Sequence, residues 1–342
     1  MRALQIPQPG VIQETDMDMP ELKHGEVLLK IVYVGFCGSD LNTFLGKNPM
    51  VKLPVIPGHE ISAVIEKVAD GVPELYREGA VCTVSPYTNC GYCPSCRNGR
   101  PNACRNNQTL GVQRDGAMRE YLAVPWQKML LVNDIPAQDV ALIEPMSVGF
   151  HAVSRGGVTD TDTVLVIGCG MVGMGAVIRS STRGATVIAM DIDNDKLLLA
   201  KQLGATHTIN SATENAGKVL AELTSGNGPD VIIEAVGAAA TYRFAIEEVA
   251  FTGRVVYIGY AKEEIAFQTK NFVMKELDIR GSRNATPEDF RGVISYLQKG
   301  ICPTEKLISG IYSPKQAQDA LATWQANPGK VFRLLVMMNE SL

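Results

Sequence analysis

An apolar run, Thr163-Val164-Leu165-Val166-Ile167, stops at Gly168-Cys169-Gly170-Met171-Val172-Gly173, and a helical pattern then continues to about Gly184. A buried strand that turns on glycines straight into a helix is committed to a βα unit, and such units stack as a parallel sheet covered by helices. At the turn, backbone amides and the helix N-terminus can approach a pyrophosphate, because no side chain intervenes. The glycine spacing alone is weak evidence; its place between strand and helix gives it weight. Gly168, Gly170, Met171, Val172 and Gly173 are therefore candidate cofactor-binding residues. The next strand, residues 186–190, ends in Asp191, where an acid is expected to bind an adenosine ribose 2′-hydroxyl. The following Ile192-Asp193-Asn194 adds another acid and no arginine, so a 2′-phosphate would meet repulsion and NAD is favoured over NADP. Further units are expected as a helix over 195–203, a strand over 230–234, a helix over 238–250 and a strand over 254–258.

Ahead of residue 160 the pattern is different, with short strand-like runs broken by Pro and Gly, among them residues 27–34, 61–68 and 80–84. A chain of 342 residues exceeds what one core usually organises. The expectation is a mostly β domain over 1–152 and 287–342, interrupted by an α/β doubly wound parallel-sheet domain over 153–286. Two helix starts mark the return segment: Thr286-Pro287-Glu288-Asp289, and a capping box at Ser313-Pro314-Lys315-Gln316. The run 330–336 reads as a strand that rejoins the first domain.

Metal chemistry is written into that first domain. The apolar run 27–34 leads to Cys37-Gly38-Ser39-Asp40, and Gly58-His59-Glu60 follows. A thiolate, an imidazole and a carboxylate match a catalytic zinc site that keeps one position open. Cys90, Cys93, Cys96 and Cys104 sit among Gly, Pro, Asn and Arg, where a packing cysteine would not be expected. Four thiolates at this spacing fill a tetrahedral shell and read as a structural zinc site. Cys82, Cys169 and Cys302 have no such company and read as packing residues, as do His24, His151 and His207. Glu144 lies in an apolar helical stretch and needs a partner; either a metal or the N-terminal dipole of its own helix, next to Pro145, could supply one.

The net charge of −4 gives no reason to expect nucleic acid, and no apolar run is long enough for a signal peptide or a membrane span. Cytoplasmic residence is expected. In that reducing compartment eight cysteines read as ligands or buried thiols rather than disulfides.

With these residues in hand, the whole chain resembles the zinc-containing medium-chain dehydrogenase/reductase family, which carries a Rossmann domain and a GroES-like domain. Glu144-Pro145 resembles its polyol, threonine and sugar-acid branch, and residues 281–290 are similar to bacterial L-galactonate or L-gulonate 5-dehydrogenases. The resemblance implies that Cys37, His59 and Glu144 hold the catalytic zinc, with Glu60 exchanging with water or substrate. It further implies that Asp40 orients His59 and that Ser39 relays the proton of the substrate hydroxyl while hydride passes to the nicotinamide. Lys196 matches a lysine that contacts the adenosine ribose, and Arg333 a basic residue that contacts the pyrophosphate. One departure stands out: many members carry a histidine three residues after the relay hydroxyl, where this chain has Asn42, which cannot accept a proton in that way.

For a substrate bearing a carboxylate, Arg283 is the first candidate cation and Arg114 the second, with Asn284 beside Arg283. An exposed loop arginine is an equally good reading of each. The expected activity is NAD-dependent oxidation of a sugar acid or polyol by a homodimer or homotetramer, with two zinc ions per subunit. Oxidation of L-threonine at its β-hydroxyl is an alternative, and a noncatalytic dinucleotide-binding sensor or scaffold is another. A scaffold would have no reason to keep Cys37, Ser39, His59, Glu60 and Glu144 together.

Overall fold

The computed structural model describes residues 1–327 and 329–339. Two compact units make up the chain, Met1–Glu144 with Thr286–Leu342 as the first and Pro145–Ala285 as the second. The first division thus falls at 144/145 rather than 152/153, inside the helix Ile143–Gly156. The helical pattern runs unbroken across it, so no change of composition marks the place. The second division falls at 285/286, where Thr286 caps the helix Pro287–Leu297. Asp289 Oδ2 accepts from the Thr286 N–H at 3.0 Å and from its hydroxyl at 2.7 Å, a cap worth roughly 1 kcal/mol.

The second unit is a six-stranded, all-parallel sheet. Its order is His207–Asn210, Thr186–Asp191, Thr163–Ile167, Val231–Glu234, Arg254–Tyr257, Asp278–Gly281. Numbered within the unit this is 3-2-1-4-5-6, the dinucleotide-binding order, with its switch point between Thr163–Ile167 and Val231–Glu234. Leu165, Ile167, Ile188, Ile232 and Val255 are almost completely buried in one core.

In the first unit the organising strand is Glu26–Phe36, whose burial on both faces explains why its sequence is a continuous apolar run rather than an alternation. It pairs antiparallel with Glu60–Val68, Leu334–Met337 and Tyr121–Pro125 in a seven-stranded sheet. The returning strand begins at Leu334, four residues later than the run 330–336 suggests, because Arg333 is spent on a buried contact described below. The box at Ser313 forms, but over the short 3-10 turn Pro314–Gln316 that leads into the helix Ala317–Ala326. Among the described residues, no helix is long and apolar enough to cross a membrane.

Candidate functional site

Strand register builds the catalytic cluster. Gly35 pairs with Glu60 across the sheet, and two residues beyond Gly35 the chain reaches Cys37. A Cβ at Gly35 would lie 2.2 Å from Glu60 Oε2, so the glycine is what lets the carboxylate lie over the end of the strand. Cys37, His59 and Glu60 each offer a ligand atom, all within 4.8 Å of one another.

Asp40 is buried and ties the flanking backbone together: its carboxylate accepts from the Cys37 N–H at 2.8 Å and the Gly58 N–H at 3.3 Å. This corrects the expected contact with the imidazole. His59 Nδ1 finds no hydrogen-bond partner among the described residues, so Asp40 holds the ligands by their main chain and reaches His59 only as a charge.

The donors are chemically suited to a cation. Both Glu60 oxygens, His59 Nδ1 and Ser39 Oγ are buried without a hydrogen-bond partner among the described residues. Burial pushes Glu60 well above the usual carboxylate range despite the nearby Arg333, a sign that more positive charge is needed there. At Cys37 burial raises the pKa, but the hydrogen bond and charge of His59 outweigh it and hold the thiol below its ordinary value. Zinc fits this set of donors.

Glu144 is not part of that group of three. Its Oε1 accepts from the hydroxyl of Tyr87, a buried residue that the sequence reading missed. Tyr87 packs edge-on to Phe290, with ring centroids 6.5 Å apart. Burial and the Glu144 charge keep the phenol well above its ordinary pKa, so it stays a donor.

Arg333, the residue matched to a pyrophosphate contact, lies in the interior of the first unit, only 4 % exposed. Its Nη1 donates to the Phe36 carbonyl at 2.6 Å, and Nε stands 3.0 Å from Glu60 Oε2 as an ion pair without hydrogen-bond geometry. An arginine committed in this way balances Glu60, since an unpaired buried carboxylate would be costly.

The four-cysteine lobe is compact. Cys93 caps the short helix Pro94–Arg97 that carries Cys96. Sulfur–sulfur separations are 3.5 Å for Cys93–Cys96, 3.8 Å for Cys93–Cys104 and 3.6 Å for Cys90–Cys104. Metal–sulfur bonds of about 2.3 Å give tetrahedron edges of about 3.8 Å. The spacing therefore fits a zinc ion held by thiolates. The Ser95 hydroxyl and the backbone amides of Arg105 and Cys96 bring Cys93 down to about 5.

In the second unit the glycine turn has the geometry of a phosphate cradle. A Cβ at Gly173 would sit 1.7 Å from the Gly168 carbonyl oxygen, so only glycine lets helix and strand approach this closely. Gly168 has φ +92°, and a Cβ at Gly170 would meet nothing within 4 Å. Gly170 is therefore the open side of the turn, at the N-terminus of the helix Met171–Thr182 that also carries Val172.

Asp191 closes on this turn, accepting from the N–H groups of Cys169 at 2.7 Å, Ile192 at 2.8 Å and Asp193 at 3.0 Å. Asp193 has a structural task as the cap of Asn194–Gln202, accepting from Asp195 and Lys196 in the first turn. An adenine dinucleotide fits such a turn. Asp191→Ala is expected to raise the Michaelis constant for NAD about 10- to 100-fold, the range for losing charge-assisted hydrogen bonds, and to shift the NADP-to-NAD preference toward NADP. Steady-state kinetics with both cofactors checks this.

The substrate candidates are divided between the two units. Arg283 and Asn284 follow the strand Asp278–Gly281 in the second unit, Asn284 with φ +56°. Arg114 belongs to the first unit and lines a separate cavity.

Comparison with known proteins agrees with this construction. Residues 23–134 match the alcohol dehydrogenase GroES-like domain, and residues 172–299 the zinc-binding dehydrogenase model. L-galactonate-5-dehydrogenase of Escherichia coli K12 is 31% identical over 312 residues, covering 91% of this chain and 92% of that protein. Sorbitol dehydrogenase of Bacillus subtilis 168 is 33% identical over 347 residues, covering 99% and 98%. A crystal structure described as a short chain alcohol dehydrogenase of Escherichia coli CFT073, complexed with NADH, superposes with a TM-score of 0.91 at 30% identity, covering 98% of this chain and 99% of that one. With both metal clusters and the glycine turn in one chain, the protein belongs to the zinc-binding alcohol dehydrogenase family.

Proposed function

We propose that this enzyme oxidises a secondary hydroxyl of a polyol or sugar acid, with an L-galactonate or L-gulonate type of hexonate as its substrate and NAD as hydride acceptor. The observation that carries the reading is the donor set. Beside Cys37 and His59 stand two buried carboxylates, Glu60 and Glu144, where a second thiolate would have made a softer site. Oxygen-rich ligation suits a substrate that presents several hydroxyls.

When bound, zinc polarises the substrate hydroxyl and lowers its pKa, and NAD takes up the hydride. The chain supplies the rest. Glu144, steadied by Tyr87, would hold the zinc with Cys37 and His59, and Glu60, balanced by Arg333, would be the carboxylate free to yield its place to water or substrate. Ser39 Oγ would accept the proton of the substrate hydroxyl while passing its own onward, and Asn42 offers no onward base, so the proton would leave to a group outside this pair of side chains. Lys196 would contact the adenosine ribose of bound NAD. Arg283 is the proposed partner of a substrate carboxylate, and the similarity to L-galactonate-5-dehydrogenase across most of the chain supports a sugar acid.

Assembly as a homodimer or homotetramer is part of the same proposal. The edge strand Asp278–Gly281 leaves Ile279 45% exposed, an open sheet edge that a second subunit would cover. Sedimentation velocity tests it, and a monomer at micromolar concentration would contradict it.

Tyr87→Phe is expected to weaken zinc retention or turnover about 10- to 100-fold, as loss of a partner behind a metal ligand does. Chelator competition measures the first and NADH formation the second; wild-type values in both would remove Glu144 from the ligand set.

The substrate is tested by following NADH formation with the zinc-loaded protein on L-gulonate, L-galactonate, matched uncharged polyols and L-threonine. Turnover confined to hexonates supports the reading. Preference for an uncharged polyol would discard the carboxylate clamp, and selective threonine oxidation would move the enzyme to the amino-acid branch.

A further inference from the structure

A cavity of about 270 Å³ lies in the first unit beside the end of the strand Val81–Val84 and the strand Tyr121–Pro125. None of Cys37, His59, Glu60 or Glu144 lines it. Leu110 and Leu122 give it apolar surface, while Arg114, Arg119 and Lys128 bring three cations against one acid, Asp115. Asp115 already accepts from the Ile56 N–H at 3.0 Å.

The cations differ in how they are held. Arg119 is fixed, with Nε donating to the Gly116 carbonyl at 2.9 Å and Nη2 to the Asp115 carbonyl at 3.4 Å. Lys128 Nζ donates to Asn89 Oδ1 at 3.2 Å. The carbonyl of Arg114 accepts from the Gly111 N–H at 2.8 Å, while its guanidinium makes no hydrogen bond or ion pair with any described residue. Burial lowers the pKa of all three, and the charge of Arg114 lowers Arg119 and Lys128 further. Positive charge is thus gathered in a partly desolvated recess beyond what its one carboxylate can balance.

The wall is rigid. Gly116, Ala117 and Met118 donate their N–H groups to the carbonyls of Ile56 at 2.7 Å, Gly58 at 2.9 Å and Pro57 at 3.1 Å, the segment that leads directly into His59. A flexible surface patch would have no such ladder.

We propose that this cavity binds a small phosphate-class dianion, clamped by Arg114 and Lys128 against the fixed guanidinium of Arg119. Its volume falls below the usual range for a drug-sized ligand and suits a phosphate group. A guanidinium can grip two phosphate oxygens at once, and the ammonium adds a point charge. The occupant is free inorganic phosphate or the phosphate group of a small ester.

Isothermal titration calorimetry tests this on the zinc-loaded protein saturated with NADH, so that the phosphate cradle at Gly170 is filled. Inorganic phosphate is titrated in one arm and glycerol 3-phosphate in the other, at low ionic strength. The expected result is one site per chain, with Arg114→Gln and Lys128→Gln each weakening binding at least about tenfold, as loss of a charge-assisted contact does. The arm with the tighter binding identifies the source of the phosphate. Zinc content and thermal midpoint of both variants serve as fold controls, and Lys128→Gln carries the test if Arg114→Gln is unstable. Absence of binding in both arms, or binding that both variants retain, would overturn the proposal.

Discussion

Cys37→Ser is expected to reduce bound zinc from two ions per chain to one and to lower NADH formation by at least about a thousandfold, since the polarisation that a catalytic metal supplies is worth several kcal/mol of barrier. The fold should survive. Cys37 is the N-cap of the helix Gly38–Phe44, a position where serine is among the favoured residues, and the carboxylate of Asp40 receives the backbone N–H of residue 37 whatever its side chain. The remaining ion stays with Cys90, Cys93, Cys96 and Cys104, which share no ligand with Cys37. Elemental analysis, the rate of NADH formation and circular dichroism of one preparation check the three parts. Unchanged turnover would remove the mechanism.

Two glycines three positions apart in sequence, yet opposite in environment, give the second large effect. Gly173→Ala places a methyl 1.7 Å from the Gly168 carbonyl oxygen and 2.9 Å from its carbon, backbone atoms with no freedom to swing away. The helix Met171–Thr182 must move off the strand, at a cost of about 3 kcal/mol or more. The thermal midpoint should fall by on the order of 10 °C, and NAD affinity by at least about a hundredfold as the cradle is distorted. Gly170→Ala meets nothing within 4 Å and should change stability by no more than about 1 kcal/mol. Its methyl nevertheless fills the open side of the turn, so NAD affinity is expected to drop about tenfold or more. Thermal melts with and without NAD separate the two outcomes. Equal behaviour of the variants would show that the turn does not approach the cofactor.

Much of the fold was legible because it depends on short-range pattern. The strand-turn-helix at Gly168–Gly173 and the closely spaced cysteines carry their geometry in the spacing itself. The short strands His207–Asn210 and Asp278–Gly281 escaped notice for the opposite reason: they are the two edges of the parallel sheet, polar and partly exposed, with no apolar run to betray them.

The missed contacts are long-range. Tyr87 meets Glu144 across 57 positions of sequence, and nothing local distinguishes it from other tyrosines. A buried carboxylate in need of a partner was recognisable, but not which donor would answer it. Arg333 was matched by resemblance to a pyrophosphate contact, and its pairing with Glu60 was not legible, because only the pairing of the returning strand Leu334–Met337 with Glu26–Phe36 brings it there. Asp40 was read from its place beside Cys37 and Ser39, yet whether it faces the imidazole or the main chain depends on a turn that sequence does not specify.

The most direct test of the account is a zinc titration of metal-stripped protein in the presence of NAD and a substrate found in the panel, with bound zinc and NADH formation measured together. The account predicts no turnover in the stripped, folded protein, and turnover that rises with the zinc bound beyond the single ion retained by Cys37→Ser. NADH formation at full rate before any zinc is restored would contradict it.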